Sequence, residues 1–116
     1  MPDGLAPDEA RRLLARMRER RVLVVGDIML DEWVWGTVTR ISPEAPVPVV
    51  AVSDHSFSLG GAANVASNLR AIGAGVGIAG GVGDDPEGER VRGLLDAIEV
   101  DRSAVVALRD RPTTTG

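Results

Sequence analysis

The stretch GGAANVASNLRAIGAGVG, residues 60–77, decides how the rest of the chain is read. Val65, Leu69 and Ile72 fall at i, i+4 and i+7, which is one apolar stripe of a helix over residues 62–72, and Gly73 stops it. Gly60 and Gly61 stand where that helix begins. There the first N–H groups are free, and a backbone without Cβ lets a ligand come close. Ala62 and Ala63 keep the first turn slim, and Asn64 adds a side chain that both donates and accepts hydrogen bonds. Such a cradle suits a polyhydroxylated ligand. Tight packing of helix on strand, with no ligand, accounts equally well for the same glycines.

Working outward, GVGIAGGVG (75–83) is a strand of small residues, and Asp85 caps a helix with Pro86 at its first position and Glu87 and Glu89 at its positive end. Val91, Leu94, Leu95 and Ile98 are that helix's apolar face, and SAVVAL (103–108) is a further short strand. Upstream, Val22–Val25 form a continuous apolar run, the pattern of a strand buried on both faces. Residues 7–20 read as a helix with Pro7 and Asp8 in its first turn. EWVWGTVTR alternates, with Trp33 and Trp35 on one face and Val34 on the other. The next segment carries Pro43, Pro46 and Pro48, so it is an edge strand or lies outside the main sheet. Strand, detour, helix, strand, helix, strand is a βαβ series, which predicts an α/β fold with a parallel sheet and flanking helices. RPTTTG begins another extended piece where the chain stops, so the 116 residues read as the N-terminal part of a larger protein.

Composition removes several classes of function. No run of about 18 apolar residues spans a membrane, no leader pattern opens the chain, and cysteine is absent. These features fit a cytoplasmic protein. The net charge is −4 and all thirteen basic residues are arginine. Arg11, Arg12, Arg16, Arg18, Arg20 and Arg21 cluster, but Asp8, Glu9 and Glu19 dilute them, which suits a solvated helix face better than nucleic acid. Asp27 and Asp31 lie just past the first strand, on the side where open α/β sheets bind ligands. Either can accept sugar hydroxyls, or can be a helix cap or a solvated loop carboxylate. The first strand is followed by Gly26-Asp27-Ile28-Met29-Leu30-Asp31, which fails the dinucleotide pattern, and a Walker loop lacks its lysine. His55 stands alone, without a metal or triad partner.

Residues 60–83 resemble the N-terminal signature of the ribokinase-like (PfkB) carbohydrate kinases, with Gly60, Gly61, Asn64, Ala66, Gly73 and Gly83 at the family's spacing. The family's next element, G-x-V-G-x-D-x-x-G, matches Gly80 to Gly88. TRISPEAPVPVV (Thr39–Val50), together with VVGDIMLD and LGGAANVA, is similar to the D-glycero-β-D-manno-heptose-7-phosphate kinases of that family, which occur alone or fused to an adenylyltransferase. The resemblance covers about residues 21–115. It implies the N-terminal portion of a single ribokinase-like domain, with a β-clasp lid at about 33–52 that closes over sugar and often pairs two subunits.

The resemblance also implies transfer of the ATP γ-phosphoryl group, with Mg2+, to the anomeric hydroxyl of heptose 7-phosphate, in the making of ADP-heptose for the lipopolysaccharide core. Asp31 would bind sugar hydroxyls, the Gly60–Gly61 backbone would line the sugar, and Asn64 would hydrogen-bond it. The family's base is an aspartate in a C-terminal G-A-G-D loop, and its ATP pocket comes from the same half. Neither is matched here, so no catalytic, ATP-binding or metal-binding residue is assigned, and the chain alone is expected to be inactive. The partners implied are a small sugar phosphate and a second copy of the chain, with no nucleic acid and no membrane. Two other readings stay open: another PfkB sugar or nucleoside kinase, and a non-catalytic sugar-binding or dimerisation module.

Overall fold

The computed structural model describes the backbone of residues 4–41 and 48–116, and the side chains of residues 4–36 and 54–116. Among these, the elements run α1 (Pro7–Met17), β1 (Arg21–Val25), β2 (Ile28–Ile41), β3 (Pro48–Gly61), α2 (Ala62–Ala71), β4 (Gly75–Gly83), α3 (Pro86–Ala97), β5 (Asp101–Leu108) and β6 (Thr114–Thr115).

The main sheet is parallel, in the order β1-β4-β5. Its strands are those expected from the βαβ series, and β4 covers the whole glycine-rich run. Val76, Ile78 and Val82 point to the face that α2 and α3 cover, where they meet Ala63, Ala66, Val91 and Leu95 in one core. Burial of β1 on both faces is not what the structure has. Leu23 and Val25 are 64% and 73% exposed, and Val106 on β5 lies open on the same face. The reason is topological: both helices that follow β3 and β4 pack on one side. α1 buries none of its residues, and it ends at Met17, where the backbone turns so that Arg20 donates to the Met17 carbonyl at 3.1 Å.

The second sheet is β3-β2-β6. β2 and β3 form one long antiparallel ribbon paired from Ile28–Gly61 to Ile41–Pro48, with register shifts after Trp35 and Val38. The lid expected over 33–52 is therefore the outer part of a longer ribbon rooted in the core, where Ile28 and Leu30 are buried. The proline-containing strand lies outside the main sheet, as its missing donors require; Pro43 and Pro46 fall outside the described residues. The extended piece RPTTTG joins this second sheet rather than the main one: β6 pairs parallel with Met29 and Leu30 of β2.

Asp85 caps α3 as its position predicts, accepting the Gly88 N–H at 2.7 Å. The same carboxylate accepts from the Thr113 N–H at 2.8 Å and from the Thr113 hydroxyl at 2.6 Å, while that hydroxyl accepts the Gly83 N–H at 2.9 Å. Thr113 is buried. These bonds fasten the segment entering β6 to the end of β4. The Thr113 hydroxyl, then its N–H and the Gly88 N–H, hold the Asp85 carboxyl below the ordinary carboxylate range against the opposing effect of burial.

Candidate functional site

The site grows from the root of the ribbon. Asp31 pairs with Ser58, and Met29 with Gly60, so strand alternation puts Asp31, Trp33 and Trp35 on one face with Ser58 and Ser56. The expectation places Asp31 just past the first strand, with a loop carboxylate as one alternative; the structure seats it inside β2. A Cβ on Gly60 would lie 2.7 Å from both carboxylate oxygens of Asp31. On the other side of β2, Gly116 donates to the Leu30 carbonyl at 3.0 Å and accepts the Glu32 N–H at 2.8 Å, and a Cβ there would lie 2.9 Å from Asp31 Oδ1. The carboxylate thus sits between two glycines, one on each neighbouring stretch of backbone.

Gly61 has φ 59° and joins β3 directly to α2. A Cβ at this position would run into the Asp27 carbonyl oxygen, which accepts the Ala62 N–H at 2.7 Å. Both glycines therefore have structural reasons to lack a side chain. Gly60 makes room for Asp31, and Gly61 makes the turn that starts α2 against the end of β1.

α2 then carries Asn64 and Ser67 one turn apart, toward the ribbon. Asp31, Trp33, Ser58, Leu59, Asn64, Ser67, Leu94 and Ile98 line one cleft of about 450 Å³. It holds one carboxylate, one amide, two hydroxyls and an apolar wall, and no cation among the described residues. That set can accept and donate to several hydroxyls at once while an apolar surface covers the rest of the ligand. Of the residues expected from sequence, Asp31 and Asn64 meet here; Gly60 is buried beneath Asp31, and Gly61 forms the adjoining turn.

Trp33, Ser58 and Ser67 were not expected. Trp33 was in reach, because residues 31, 33 and 35 share the parity of one strand face. Ser58 was not, because nothing in the sequence sets the register of β3 on β2.

Asp27 does not join Asp31. Its side chain borders a separate hollow of about 60 Å³ with Arg111 and Thr114. His55 Nδ1 lies 2.9 Å from Glu32 Oε1 on the reverse face of the ribbon, beside Phe57, over which Arg90 stacks at 3.9 Å. Among the described residues no group of three or more His, Cys, Asp or Glu gathers to hold a metal. A hollow of about 400 Å³ lies at the N-terminal end of the parallel strands, between Arg21, Glu99 and Asp101. Asp101 there is held below the ordinary carboxylate range chiefly by the Ser103 N–H, which is a turn within the chain.

A parallel sheet with helices on one face and a long strand ribbon that lines a cleft with two of those helices defines a ribokinase-like α/β protein. Solved structures share the arrangement. A putative ribokinase from Agrobacterium tumefaciens superposes with TM-score 0.66 at 23% identity, over 83% of this chain and 30% of that one. A carbohydrate kinase from the same organism gives 0.64 at 27% identity, over 83% and 30%. The ribokinase of Cryptococcus neoformans var. grubii, solved with ADP, gives 0.59 at 24%, over 83% and 29%.

Residues 19–116 match the model of the pfkB family carbohydrate kinases, and the chain belongs to that family. Among curated relatives, the bifunctional protein HldE of Helicobacter acinonychis is 50% identical over 95 residues, 82% of this chain and 20% of the relative. HldE of Desulfatibacillum aliphaticivorans is 50% identical over 94 residues, 81% and 19%. The chain spans about a fifth of the length of these relatives.

Proposed function

We propose that the protein is a sugar kinase that phosphorylates the anomeric hydroxyl of D-glycero-β-D-manno-heptose 7-phosphate with ATP and Mg2+, in the cytoplasm, and that these residues form its sugar-binding side. The observation that carries this reading is the convergence of Asp31 and Asn64 on one cleft between the root of the ribbon, α2 and α3. Asp31 accepts two hydroxyls, Asn64 donates to and accepts from another, and Gly60 and Gly61 let the two elements bearing them approach. The narrower choice of sugar is supported by the Thr39–Val50 motif and by relatives identical at half of the aligned positions.

The test is phosphoryl transfer by the protein made from its complete gene, followed by phosphorus NMR. Heptose 7-phosphate should turn over at least tenfold more efficiently than ribose, fructose or a nucleoside. Preference for one of those would replace the heptose assignment, and turnover of none would favour a binding module. Asn64→Ala should weaken sugar binding by roughly two- to tenfold, the effect of one hydrogen bond to a neutral partner, with little change in melting temperature. Unchanged affinity in a folded variant would remove Asn64 from the site.

We also propose that the outer ribbon pairs two subunits. Sedimentation of a monomer at tens of micromolar protein would reject the pairing.

A further inference from the structure

We propose that Trp33 is a sugar-stacking residue, whose indole takes the apolar face of the sugar ring while Asp31 and Asn64 hold its hydroxyls. The proposal rests on the sugar-kinase reading above and deepens it.

Three observations lead to this assignment. First, Trp33 lines the same cleft as Asp31 and Asn64 and follows Asp31 by two residues on one strand face. Second, its ring is held in place. Its Nε1 donates to Ser58 Oγ at 3.0 Å, and Ser58 is the residue paired with Asp31. Trp35 stacks on it with ring centroids 6.4 Å apart and planes 22° from parallel, and is itself tied by Nε1 to Ser56 Oγ at 2.9 Å. Along the strand face the order is Asp31, Trp33, Trp35, so Trp33 stands between the carboxylate and its stacking partner. Third, the ring stays 52% exposed although it is among the largest apolar groups of the chain.

A pyranose has a rim of hydroxyls and faces of C–H groups. A carboxylate and an amide suit the rim; a flat aromatic surface suits the C–H face. Holding the indole beforehand means that little side-chain freedom is lost on binding, as with the rigid aromatic anchors of other binding surfaces.

The experiment uses the protein made from its complete gene, with heptose 7-phosphate, ribose and fructose as probes. Trp33→Ala should bind the preferred sugar about tenfold more weakly by calorimetry and raise its KM by a similar factor. The KM for ATP should be unchanged, and Trp33→Phe should recover most of the loss. Val34→Ala, on the reverse face, should bind as the wild type does. The difference in acrylamide quenching between wild type and Trp33→Phe isolates the Trp33 signal, and saturating sugar should shield it.

Binding by Trp33→Ala within twofold of a wild type that binds sugar would overturn the stacking role and leave the kinase reading standing. If the wild type bound none of the three sugars, both would fall. Should Trp33→Ala fail to fold by circular dichroism, the quenching decides: a Trp33 signal untouched by saturating sugar, or shielded only as protein concentration rises, overturns the proposal.

Discussion

At the scale of single residues, the site depends on a methyl group that is missing. Gly60 is buried in a strand, where glycine is ordinarily unfavourable, yet a Cβ there would lie 2.7 Å from each oxygen of Asp31. Gly60→Ala should therefore lower the melting temperature and weaken sugar binding together, because the carboxylate must swing aside. Once Asp31 is shortened, the clash has no partner. A double-mutant cycle of Gly60→Ala with Asp31→Ala should show strong non-additivity in thermal melts. Additive effects would mean that something other than Asp31 demands the glycine.

At the scale of elements, Asp85 does two jobs that the sequence suggests only in part. Its position before Pro86 marks a helix cap; its bonds to Thr113 tie the start of α3 to the segment that enters β6. That segment brings Gly116 beside Asp31, so the latch also sets one flank of that carboxylate. Asp85→Ala should lower the melting temperature by a few degrees at neutral pH. Its folded pKa is depressed, so its contribution is present in full above the unfolded value of about 3.9 and lost as pH falls through the lower folded value. Thermal melts of wild type and variant should differ at pH 7 and converge toward pH 2. A gap that persists at pH 2 would assign the effect to packing rather than to the ionised carboxylate.

At the scale of the whole molecule, the parallel sheet has one covered face and one open face. α2 and α3 shield Val76, Ile78 and Val82, while Leu23 and Val25 on β1 and Val106 on β5 lie in the open on the other face, with only Gly77, Ala79 and Gly81 of β4 between them. Contiguous apolar surface of this kind favours association. Residues 1–116 made alone should bind a hydrophobic dye and self-associate at micromolar concentration. Leu23→Glu with Val25→Glu should reduce both effects, since neither side chain is needed by the buried core. Dye binding and sedimentation identical for the two forms would show that the open face is not responsible.

Local pattern alone determined most of the elements. The helix over 62–72, the Asp85-Pro86 start and the small-residue strand 75–83 each satisfy a rule that involves only near neighbours in the chain, and each stands where that rule puts it; the stripe that marked the helix is not its core face, because Ala63 and Ala66 are buried against the sheet while Val65 is 50% exposed. The pairing of Asp31 with Asn64 was legible through the family motif, and the parity of 31, 33 and 35 pointed toward Trp33. Only the tertiary structure decided the rest. The length of the ribbon, the seat of Asp31 inside a strand, the arrival of β6 beside β2 and the open face of β1 all depend on which strand lies next to which and in what register. Register is set by contacts between residues far apart in sequence, Ser58 against Asp31 and Thr114 against Met29, and no periodicity within either segment encodes it.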